Sequence, residues 1–249
     1  MIKTWMTPWL LMAVPFLGAA LSLLLRTSLQ RMKTSALLTT VASMLVVIGT
    51  PWALGDTLAG VPFLCLLPLT AFLSLLGQPL HRDNTSAWTT TLVLLGLGLG
   101  ILTAQAPVHD VMLLILPGLL CILLYRYQSG ATPETWRGLS AYGLSMMSAA
   151  LALVLPTPAS TVALLVTCAT LLPLLPVHSG FIATLTGLPG NLPAFLVFLL
   201  PTVGFHTLLT LLPNLTVTTL HTVAILALAG AVYGSLRALI QARPLPRLS

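Results

Sequence analysis

Acidic side chains are almost missing from this sequence: Asp and Glu number 4 in 249 residues, and charged residues of both signs make up only 6%. So little polar surface cannot cover a water-facing shell, which excludes a soluble globular domain. Cysteine is scarce as well. Cys65, Cys121 and Cys168 each lie inside an apolar run, with no CxxC and no Cys/His spacing. A disulfide framework, a zinc site and an iron–sulfur site therefore lack ligands, and the cysteines read as small buried hydrophobes. No phosphate-cradling glycine loop opens a soluble helix, no nucleophile–base pair is spaced for catalysis, and the histidines have no spacing that pairs them as haem ligands. The period-two alternation of a transmembrane β-barrel is absent too, as is any long polar linker.

What remains is apolar: 57% of residues are hydrophobic and the mean hydropathy is +1.03. Bilayer is the solvent that suits such a chain, and only helices satisfy the backbone of continuous leucine-rich runs there. Runs near 7–26, 35–54, 57–77, 87–105, 109–128, 136–156, 159–176, 192–212 and 216–241 each approach the ~20 residues that cross the hydrocarbon core. They predict an all-α polytopic membrane protein of about nine transmembrane helices. Residues 1–80 hold three peripheral helices, 87–212 a repeat containing an interrupted helix, and 216–249 the ninth helix with a basic end.

The charges follow this count. Nine crossings put Arg26, Arg31, Lys33, Arg82, Arg126, Arg137, Arg237, Arg243 and Arg247 on one side and leave Lys3 alone on the other. The positive-inside rule then sets the C-terminus on the cytoplasmic or matrix side. The formal charge of +6 punctuates helix ends instead of forming a stripe with aromatics, so nucleic acid is not an expected partner. Leu17-Gly-Ala-Ala20 resembles a signal-cleavage site, but the eight apolar runs after it predict a retained first helix. Trp5, Trp9, Trp52, Trp88 and Trp136 fall near span ends, where interface anchors belong.

Ionisable groups inside the spans are few, and each is a functional candidate. Asp110 opens the fifth span beside His109. Within one turn of the interface it reads first as a helix-start aspartate favoured by the dipole, and second as a proton carrier. His206 lies inside the eighth span with Thr202 four residues back on the same face. Two readings stand level for it: a proton relay, or a neutral histidine hydrogen-bonded to a carbonyl or hydroxyl. His221 reads as part of a polar helix start, and Tyr142, Ser145 and Ser148 as helix packing. Gly96, Gly98 and Gly100 read as a packing face. The Gly/Pro-rich region 177–191 reads as a break between helices, either a discontinuous helix or a re-entrant loop.

The last third carries a pattern: Pro173-Leu-Leu-Pro176-Val-His178, then Pro189 and Gly204, then Tyr233-Gly234-Ser-Leu-Arg-Ala-Leu-Ile-Gln241. In order and spacing it resembles the antiporter-like membrane subunits of proton-pumping NADH:ubiquinone oxidoreductase, respiratory complex I, nearest to chain 4. The resemblance implies a helix interrupted at Pro173, Pro176, His178 and Pro189, with Gly204, Tyr233, Gly234 and Gln241 as further family positions. It covers the whole topology, while specific residues match in the last third, apart from Pro117 in the fifth span.

The departures concern the proton path. Met112 stands where the family has a glutamate, Leu171 and Thr202 where it has basic residues, and Gly180 where it has a tryptophan. The chain also ends at Ser249, where the family enters a second, inverted repeat. The resemblance thus implies half of a non-redox subunit with a degenerate proton path, structural or weakly conducting, in which His206, Thr202 and Asp110 are the candidate relay. Its partners would be other membrane-arm subunits, lipid, and a separate chain supplying the missing half if one exists. No cofactor is expected in this chain; flavin, iron–sulfur clusters and ubiquinone belong to other subunits. The degeneration suits the mitochondrial inner membrane, with the bacterial plasma membrane as the alternative. Two other functions compete: a subunit of a related multi-subunit cation/proton antiporter or membrane hydrogenase, and a membrane scaffold or assembly protein.

Overall fold

A computed structural model describes residues 2–54, 61–127, 133–172, 174 and 178–241. Ten α-helices cover nearly all of them: α1 (Ile2–Leu24), α2 (Leu29–Leu54), α3 (Val61–Leu76), α4 (Thr85–Thr103), α5 (Val108–Tyr127), α6 (Pro133–Val154), α7 (Ala159–Leu171), α8 (His178–Gly187), α9 (Leu192–Leu211) and α10 (Val217–Gln241). No strand occurs among the described residues. Four segments are long and apolar enough to cross a membrane: Leu29–Thr50, Thr85–Thr103, Val108–Tyr127 and Leu192–Asn214. Pro8–Leu24, Leu64–Leu76, Ala159–Leu171 and Val217–Gly230 are shorter apolar helices.

Large hydrophobic side chains are exposed on several helices: Leu24 is 79% exposed, Leu17 69% and Ile225 66%, which is compatible with a membrane surrounding. Polar side chains instead turn inward or back on their own helix. Thr39, Ser43, Thr91 and Thr202 each donate to the carbonyl four residues earlier, which satisfies the hydroxyl without water.

Helix α4 is the axis, packed by α1, α2, α3, α5 and α9. Gly96, Gly98 and Gly100 make this possible, but not as a single face. Gly96 receives the Phe16 ring from α1; Gly98 takes Leu67 from α3 and Leu199 from α9; Gly100 takes Met12 from α1 and Met112 from α5. Residues two apart on a helix point about 200° away from each other, so the three glycines open the axis to several neighbours.

The seventh apolar run departs from expectation. The run read as one span over 159–176 ends as α7 at Leu171, and part of the region read as a break, 177–191, is the helix α8. The interruption lies between Leu171 and His178. Pro173 and Pro176 remove two N–H groups within four residues, whereas the single Pro117 and Pro201 are accommodated inside α5 and α9. Once beyond Pro176, nothing prevents a second helix, and Gly180 serves packing instead of a turn. A Cβ on Gly180 would lie 2.6 Å from that of Ala141 on α6, and one on Gly138 2.7 Å from that of Ala183 on α8. These reciprocal small residues let α6 and α8 approach closely.

Candidate functional site at the α5–α9 contact

The start of α5 and the end of α9 bring together the four most chemically capable side chains in the described interior. His109, the second residue of α5, is buried, and its Nδ1 lies 3.0 Å from Oδ1 of Asp110, which keeps 21% side-chain exposure. Its Nε2 is 3.4 Å from Oγ1 of Thr207 on α9. The rings of His109 and His206 are neighbours, with centroids 6.1 Å apart and planes tilted by 55°. Asp110 belongs to the first turn of α5, at the positive end of the helix dipole, which favours negative charge. The same carboxylate thus serves the helix dipole and orients the imidazole.

Hydrogen counting shows what the group can do. An ionised Asp110 only accepts, so Nδ1 of His109 donates to it. With neutral His109, Nε2 is an acceptor and the Thr207 hydroxyl turns its proton toward it. With protonated His109, Nε2 donates to Thr207, and the hydroxyl donates to the Val203 carbonyl 2.9 Å away. Both protonation states find complete sets of partners through one hydroxyl rotation. Asp110, partly exposed, links the buried imidazole to the surface.

The expected relay of His206, Thr202 and Asp110 is thus only partly assembled. Asp110 meets His206 through His109, whose ring lies between them. Thr202 donates to the Phe198 carbonyl at 2.7 Å, within its own helix, and the hydroxyl at the α5–α9 contact is Thr207. The signal that could have found this group was a His-Asp dipeptide at one helix start and a His-Thr dipeptide near the end of another. Sequence alone does not say that the two ends meet.

The helix-break residues divide similarly. Pro173 and Pro176 lie outside the described residues; His178 begins α8, and Pro189 sits in the link to α9. Gly204 is buried on α9, against the last residues of α7. A Cβ there would be 2.9 Å from Cγ of Leu172 and 3.1 Å from both Cβ of Leu171 and the backbone nitrogen of Leu172. Glycine at 204 is what lets α9 lie against the interruption. Tyr233, Gly234 and Gln241 belong to α10, and their side chains lie outside the described residues.

No family model, curated protein or solved structure matches the chain.

Helix α6 straps both halves of the interrupted helix. Oγ of Ser148 lies 2.8 Å from Oγ1 of Thr167 on α7, and the hydroxyls of Tyr142 and Thr184 on α8 are 2.8 Å apart. The positions where the resemblance implies proton-path side chains have apolar surroundings. Met112 packs over Gly100, and Leu171 is fully buried in the main core. Among the described residues no group of three or more His, Cys, Asp or Glu could hold a metal ion, and all three cysteines are free.

Proposed function

We propose that the chain is a non-redox membrane-arm subunit of proton-pumping NADH:ubiquinone oxidoreductase, corresponding to the first half of an antiporter-like subunit. In this reading the chain crosses the mitochondrial inner membrane nine times, with α7 and α8 together forming the broken seventh crossing and the C-terminus on the matrix side. The observation that carries the proposal is the interrupted helix. Two short helices flank the Pro173–His178 run, and Gly204 of the following crossing packs on the end of the first. A glycine is required there by contact, which gives a physical reason for a motif otherwise supported only by spacing.

The subunit acts mainly as a spacer and scaffold in the membrane arm. Apolar Met112 and Leu171 interrupt any chain of ionisable groups through this half. The His109–Asp110 pair offers proton exchange at one end only. Electron transfer, flavin, iron–sulfur clusters and quinone reduction belong to partner subunits.

Affinity purification of the tagged chain in mild detergent, with mass-spectrometric identification of partners and an NADH:ubiquinone activity assay, tests this assignment. Co-elution with flavin and iron–sulfur subunits and active NADH oxidation support it, and a second membrane fragment would reveal the missing half. Elution with hydrogenase or cation-antiporter subunits, or with no oxidoreductase at all, overturns it. Within the assembled complex, His206→Phe should leave the proton-to-electron ratio unchanged in reconstituted vesicles; a lowered ratio would show that this half conducts.

A further inference from the structure

We draw no further inference here: the strongest candidate, the apolar helix α10, whose Val217, Ile225, Leu228 and Val232 side chains are exposed, carries none because nothing in the structure shows what covers it.

Discussion

Helix α9 is tied at its two ends by different chemistry. At its start, Asn191 is 2% exposed and its Nδ2 donates to Thr91 on α4 at 2.8 Å and to Ser74 on α3 at 3.3 Å. Near its end, some 24 Å along the helix, Thr207 meets the His109–Asp110 pair of α5. The first tie uses an amide and hydroxyls that never change charge, so its bonds are the same at every pH. The second uses an imidazole and a carboxylate, and its bonds rearrange when a proton arrives. Buried polar groups in an apolar bundle thus divide into those that hold helices together and those that can also exchange protons. The ability to titrate, not burial, separates them.

Substitutions can break or sharpen this contrast. The largest effect is expected away from both ties, at the close α6–α8 packing seam. Gly180→Trp restores the residue that the complex I resemblance implies there, yet its Cβ would lie 2.6 Å from Ala141. It should destabilise the protein by about 3 kcal/mol or more through overpacking, visible as a lowered melting temperature in detergent. A Gly180→Trp protein as stable as the parent would show that α6 and α8 do not pack this closely.

Asn191→Ala removes both interhelical bonds of the amide tie. Thr91 and Ser74 keep their own-helix acceptors, Ala87 and Ala71, so no hydroxyl is orphaned. A loss of about 2 kcal/mol is expected, equal at pH 6 and pH 8 when measured by denaturant titration. His109→Phe should be milder, about 1 kcal/mol. Its distinguishing mark is spectroscopic: in infrared spectra the Asp110 carboxylate band should shift as its hydrogen-bond partner disappears. Thr202→Val comes last. Its hydroxyl serves only the Phe198 carbonyl, so stability should stay within about 0.5 kcal/mol and the infrared response should match the parent's. A change in that response would return Thr202 to the proton-exchanging group.

How much of this was readable in advance depends on the range of the interaction. Apolar runs and their ends come from local composition, and α4, α5 and α9 begin and end within two residues of the expected spans. Gly180, Gly187 and Pro189 are local turn signals and do not reveal the helix α8, because the use of Gly180 is a contact with Ala141, far away in sequence. Thr202 was chosen as the partner of His206 because residues four apart share a helix face. Its proton was already taken by the backbone carbonyl of Phe198, and the neighbouring ring came from α5 instead.

Composition alone determined that this chain is helical and suited to lipid, because 57% hydrophobic residues with 6% charge leave a continuous chain no other way to satisfy its backbone in an apolar solvent. Sequence also marks where the seventh run breaks, since Pro173 and Pro176 remove two N–H groups within four residues, whereas the single Pro117 and Pro201 are accommodated inside α5 and α9. Tertiary structure decided that His109 and Asp110 of α5 meet His206 and Thr207 of α9, and that Gly204 lies on the break. In a helix the backbone bonds are local, but which helices become neighbours depends on side chains that fit one another across separations of about a hundred residues, as His109 and Thr207 do with 98 between their positions.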